Sequence, residues 1–106
     1  MNLEKNVELV ELFDCYKNML TEKQQQVFDL YVLNDLSLQE VSELLNISRQ
    51  AIKYTLDATA KTLNNLEQKL SVKKNSRKIK LELTNITNEI KDKNINKKIK
   101  KIIDKL

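Results

Sequence analysis

SLQEVSELLNISRQAIKYTL, residues 37–56, reads as two short helical runs separated by a corner. Ser37 followed three positions on by Glu40 forms a capping box, in which each side chain satisfies an orphan backbone N–H of the first turn. A helix is therefore expected from Leu38. Its apolar residues Leu38, Val41, Leu44 and Leu45 recur at spacings of three and four and define one core-facing side, with Gln39, Ser42 and Glu43 outward. Asn46 ends it, because asparagine is the residue after glycine that most readily takes the left-handed conformation just past a helix C-terminus. Ile47 is expected to turn inward and Ser48 to cap a second helix. That is the helix-turn-helix pattern, whose second helix can present its first turns to a DNA major groove.

The second helix opens Arg49, Gln50, Ala51, Ile52, Lys53, Tyr54. At about 100° per residue, Ile52, Leu56, Thr59 and Leu63 share the buried side, and Gln50, Lys53, Tyr54, Asp57 and Lys61 point away. Ser48, Arg49, Gln50, Lys53, Tyr54 and Lys61 are therefore the candidate nucleic-acid contacts of this part of the chain. Arg can pair bidentately with guanine and Gln with adenine, while Lys and Tyr can hold phosphates. The competing reading is a capped helical hairpin whose exposed face serves only solubility.

The chain has 106 residues, enough for one core and an appendage but not for two cores. It contains no Gly and no Pro, which disfavours sheet-rich folds and points to an all-α architecture. The same absence removes the glycine-rich loops of P-loop and dinucleotide-binding sites. There is no His, so the usual general base and commonest metal ligand are missing; no catalytic residue, metal site or cofactor is expected. Cys15, the single cysteine, reads as a small, partly buried residue suited to a reducing compartment. No run approaches the ~18 apolar residues of a membrane span. The N-terminus MNLEKNVEL lacks the layout of a signal peptide, and a cytoplasmic location is expected.

Upstream, a first helix is predicted from Leu3 to about Met19, with Leu9, Leu12, Phe13, Tyr16 and Leu20 inward and Val10 flanking. Thr21 with Gln24 forms another capping box and starts a helix through Val27, Phe28, Leu30, Tyr31 and Leu33. Asn34 and Asp35 make the turn into Leu36 and Ser37.

LTEKQQQVFDLYVLNDLSLQEVSELLNISRQAI, residues 20–52, resembles the region-4 promoter-reading module of bacterial sigma factors. With the preceding ELFDCYKNML it is similar to the small bacterial YlxM family. The resemblance covers roughly residues 9–70 and is carried by the LTEKQ opening, the NDLSLQEV turn and helix, and NISRQAI. It implies a DNA-binding regulator connected with the signal recognition particle pathway, an assignment that rests on gene neighbourhood rather than site chemistry. It implies no catalytic residues. The implied fold is a helical bundle, winged-helix-like or sigma region 4-like, with a long fourth helix. Three positions depart from the sigma pattern: Ala51 and Ala58 stand where charged residues are usual, and Asp57 puts a negative charge beside the groove face. Arg49, Gln50 and Lys53 carry over as DNA contacts; promoter recognition of the sigma type does not. Ser42 replaces a frequent Ala and is tolerated as small.

The predicted division is a helix-turn-helix domain over residues 1–70 and a basic helical extension over 71–106. The first carries seven basic and eleven acidic side chains, a balance of −4; the second carries twelve and four, a balance of +8. Ile52, Leu56, Thr59, Leu63, Leu66 and Leu70 continue one seam to the end of the first part, so the fourth helix outlasts a three-helix core. Its far end must pack against the first helix, the extension or a second copy, and a homodimer would fit DNA half-sites. SVKKNSRK, residues 71–78, reads as a basic junction, and Lys73, Lys74, Arg77 and Lys78 join the candidate nucleic-acid contacts. Two amphipathic stripes follow, Ile79/Leu83/Ile86/Ile90 and Ile95/Ile99/Ile102/Leu106, with a break expected near Asp92, Lys93 and Asn94. Lys97, Lys98, Lys100, Lys101 and Lys105 lie opposite the second stripe. The extension is open to several roles: packing on the core or in a dimer, which the stripes favour, gripping phosphates, or lying on an anionic membrane. The stripes lack the aromatic residues of a membrane or base-stacking surface.

Two functions remain in competition. One is a DNA-binding regulator; the other is a non-DNA-binding interaction module contacting the signal recognition particle protein or RNA, which accounts better for the acidic first part.

Overall fold

The computed structural model describes residues 7–106, and among these there are only helices and turns. They form two compact units, residues 7–70 and 71–106. Leu3 and Glu4, where the first helix is expected to begin, lie outside the described residues.

In the first unit, α1 (Val7–Tyr16) runs into a 3-10 turn, and α2 (Glu22–Phe28) opens at the Thr21 capping box. Gln24 N–H donates to Thr21 Oγ1 and Thr21 N–H to Gln24 Oε1, both at 3.1 Å. The chain does not continue as α-helix to Leu33. Asp29–Leu33 widens into a π turn, closed by Asn34 N–H donating to the Asp29 carbonyl five residues back at 2.9 Å. Asn34 Nδ2 reinforces it, donating to the same carbonyl at 2.8 Å. The wider turn keeps Val32 in the core while Leu33 is exposed, contrary to the run read from sequence.

Asp35 takes the left-handed conformation, and α3 (Leu38–Leu45) then starts at Ser37. Both bonds of its capping box form, at 3.0 and 3.1 Å. Val41 is fully buried, but Leu44, expected inward, is 64% exposed. With only eight residues the helix needs a narrow contact stripe, which Leu38, Val41 and Leu45 supply. Asn46 adopts φ 54° and ψ 45°, and Ile47 N–H donates back to the Ser42 carbonyl. Ser42 does more than fit: its Oγ donates to the Ile47 carbonyl at 2.6 Å and pins the corner.

The long helix α4 (Arg49–Leu70) starts at Ser48, whose Oγ accepts from Ala51 N–H at 3.1 Å. It buries Ile52, Leu56, Thr59, Ala60 and Leu63. Thr59 is tolerated there because its hydroxyl donates to the Thr55 carbonyl at 2.7 Å. Against this face pack Leu9, Leu12, Phe13 and Tyr16 of α1, with Leu20, and Val27, Phe28, Val32 and Val41. Phe13 and Phe28 stack with ring centroids 4.3 Å apart. Of the candidates for covering the far end of α4, the first helix does so: Tyr16 Oη donates to Glu67 Oε1 at 2.6 Å and Leu66 packs on the core. Leu70 remains 48% exposed, so the seam ends a turn short of the helix. Cys15 is exposed rather than partly buried, since it falls off the Leu12–Tyr16 face. The α3–corner–α4 arrangement is a helix-turn-helix. A winged-helix variant would need a strand pair, and no strand occurs among the described residues.

In the second unit, α5 (Val72–Glu89) and α6 (Lys93–Lys105) pack on each other as a hairpin. The expected basic junction over 71–78 is helical from Val72; lysine is a good helix former, and no Gly or Pro interrupts it. Only Ser71 leaves the helical region, at φ 54°. The expected break falls at Ile90–Asp92. Asp92 caps α6 by accepting from Asn94 and Ile95 N–H at 2.8 and 3.3 Å, and Asn96 Nδ2 ties the turn by donating to the Ile90 carbonyl at 2.8 Å.

Candidate nucleic-acid interface

The start of α4 is held by two local devices, the left-handed Asn46 corner and the Ser48 cap, and by the burial of Ile52 one turn in. Because the helix is anchored through Ile52, Leu56 and Thr59, residues on the far side must face water. Arg49, Gln50, Lys53, Tyr54, Asp57 and Lys61 are all exposed, Tyr54 by 77%.

Arg49, Gln50 and Lys53 stand together around one open hollow of about 330 Å³, completed by Leu38 from the start of α3. Two cations, one carboxamide and an aliphatic wall thus share one patch. This is a surface that can accept phosphate or base-edge oxygens and pack against a methyl group. Leu38, read from sequence as a core residue, packs on the rim of the core and is half-buried, so that as the first residue of α3 it also walls the hollow. Tyr54 and Lys61 lie outside the hollow. Lys61 stands two turns further along α4, and Asp57 lies between. The Ser48 hydroxyl is engaged as the cap, so it orients the helix end.

Lys73, Lys74, Arg77 and Lys78 all lie in the first two turns of α5, in the second unit. Lys74, Arg77 and Lys78 are exposed and Lys73 is half-buried. The lysines of α6 that face water include Lys93, Lys97, Lys98, Lys100, Lys101 and Lys105. Among the described residues no group of three His, Cys, Asp or Glu side chains is placed to hold a metal ion, and no helix is long and apolar enough to cross a membrane.

Comparison with known proteins agrees with this fold. A family profile described as UPF0122, "Putative helix-turn-helix protein, YlxM / p13 like", matches residues 3–106. A UPF0122 protein of Mycoplasma capricolum subsp. capricolum is 42% identical over 102 residues, covering 95% of this chain and 90% of that protein. One from Thermoanaerobacter sp. (strain X514) is 39% identical over 98 residues, covering 90% and 84%. Another, from Clostridium botulinum (strain Alaska E43 / Type E3), is 40% identical over 91 residues, covering 86% and 84%. With the profile spanning both units and relatives aligned over most of their own length, the chain belongs to the UPF0122 family of YlxM / p13-like helix-turn-helix proteins.

Proposed function

We propose that the protein is a DNA-binding regulatory protein that places the first turns of α4 in a major groove. The observation that carries this reading is the gathering of Arg49, Gln50 and Lys53 around one open hollow at the start of that helix. In this role Arg49 takes guanine, Gln50 takes adenine, and Lys53, Tyr54 and Lys61 hold the backbone, while Ser48 fixes the helix end at the groove mouth. Lys73, Lys74, Arg77 and Lys78 add attraction that does not depend on sequence, offsetting the −4 balance of residues 1–70. Two copies acting together would offer two α4 helices to paired half-sites. No enzymatic role is assigned.

The test is fluorescence anisotropy with duplex DNA at two salt concentrations. If Z phosphates are neutralised, log affinity falls with a slope of about −0.9Z against log salt. Arg49→Ala should weaken the preferred sequence by about tenfold while leaving random duplex little changed. Binding indifferent to both salt and that substitution would falsify the reading.

A second reading is supported by the acidic balance of the first part and by Asp57 on the exposed face of α4. Here the helix-turn-helix is an interaction module for the signal recognition particle protein or RNA, in the cytoplasm. Capture of the particle from intact but not nuclease-treated lysate would favour the RNA, capture from both the protein.

A further inference from the structure

Neither α5 nor α6 contains a buried side chain. Of their half-buried positions, Lys73 and Ser76 lie near the start of α5, while Leu83, Thr87 and the C-cap Ile90 on one side and Asn96, Ile99 and Ile103 on the other mark the seam where the helices meet. Outside the seam, Ile79, Ile86, Ile95, Ile102 and Leu106 remain 38 to 51% exposed. At about 100° per residue, Ile79 and Ile86 sit some 50–70° to one side of the α5 seam, and the other three some 50–90° to the same rotational side of the α6 seam. Antiparallel helices are exchanged by a two-fold axis normal to the hairpin plane, so equal rotational offsets fall on one broad face. The opposite offsets belong to Thr84 and Asn88 on α5 and Lys100 on α6, and these do line a common hollow. The five apolar residues therefore share the other face.

That face has charged borders of opposite sign. Glu82 and Glu89 flank it along α5, and Lys98 and Lys105 flank it along α6; all four are exposed. The hollow gathers Thr84, Thr87, Lys100 and Ile103, and Asn96 Nδ2 donates to the Ile90 carbonyl, an antiparallel pairing that sets Thr87 opposite Lys100 and Thr84 opposite Ile103 to within about a turn. By the same helical rise, and to the same precision, Glu89 lies opposite Lys98 and Glu82 opposite Lys105.

We propose that this face is covered by the same face of a second copy, giving a four-helix bundle about a two-fold axis parallel to the helices. That operation lays α5 of one copy over α6 of the other without changing height. Glu82 and Glu89 then meet the partner's Lys105 and Lys98, and each pair occurs twice. A two-fold axis across the helices would instead stack α5 on α5 and bring like charges together, so the borders select one of the two ways of closing the apolar strip. Lys80, Lys93, Lys97 and Lys100 fall on the outer face, where the +8 balance of residues 71–106 is screened over ~8 Å at physiological salt.

The proposal does not depend on the DNA reading: assembly is measured without nucleic acid, and loss of DNA binding leaves it untouched. Sedimentation equilibrium of the full chain should show a dimer. Ile86→Asp with Ile102→Asp should give a monomer whose circular dichroism keeps the wild-type helix signal. In case that pair unfolds the hairpin, Glu82→Lys with Glu89→Lys should raise the dimer Kd at least about tenfold. Adding Lys98→Glu and Lys105→Glu to those two should return Kd close to the wild-type value. A monomeric wild-type chain at its highest soluble concentration, a dimer indifferent to the charge reversal, or a four-residue charge swap that stays weakened would each overturn the proposal.

Discussion

Helices α4 and α5 are of similar length and carry apolar stripes of the same spacing, yet α4 buries five side chains and α5 buries none. The difference lies in their neighbours. Helices α1, α2 and α3 all pack on α4, whereas within its own unit α5 has only α6. A stripe states which side of a helix favours cover; it does not state how many elements supply it. The first unit consequently owns a core, and the second is a hairpin whose apolar side is half in water.

The largest expected effect comes from cutting into that core. Phe28→Ala, which removes a ring stacked on Phe13, should cost ~3–5 kcal/mol in denaturant unfolding. Leu83→Ala in the seam of the hairpin should cost less than ~1 kcal/mol when measured on the dilute chain. Comparable losses would break the contrast between the two units. Next come the local devices of the corner: Ser42→Ala, which deletes the bond to the Ile47 carbonyl, should cost ~1 kcal/mol, read by the same unfolding curves. Hydrogen exchange sharpens the comparison without mutation. Amides of α4 between Ile52 and Leu63 should exchange slowest, and those of α5 and α6 should exchange sooner, in the dilute chain. At the small end, Arg49→Ala should leave the unfolding midpoint unchanged, because its side chain is exposed and lies outside the core.

Features set by a few adjacent residues were legible in the sequence. The boxes at Thr21 and Ser37, the cap at Ser48 and the left-handed Asn46 each depend on atoms within five positions, and local chemistry decides them. The inward side of α4 was legible for the same reason, since its periodicity runs unbroken from Ile52 to Leu63. Leu44 and Leu33 were not. Both extend an apolar pattern, but their exposure is fixed by the short reach of α3 and by the π turn, whose five-residue closure through Asn34 leaves no mark in hydrophobic spacing. The helical start of α5 was hidden by its charge: a run of lysines reads as a solvated junction although its backbone preference is helical. Periodicity turned Arg49, Gln50 and Lys53 outward, but their meeting with Leu38 at one hollow depends on how α3 crosses α4, which no single-helix pattern encodes.

Among the described residues three, Asp35, Asn46 and Ser71, have positive φ, and each carries a Cβ because the chain has no glycine. A left-handed residue with a Cβ is under a tension that asparagine and aspartate feel least, since the same backbone angles cost ~1–2 kcal/mol for most other L-residues. Glycine at Ser71 would release that tension but also loosen the unfolded chain, which works in the opposite direction. The two corners that bracket α3, at Asp35 and Asn46, are therefore set by side chains rather than by glycine, and an engineer wishing to soften them has two places to begin.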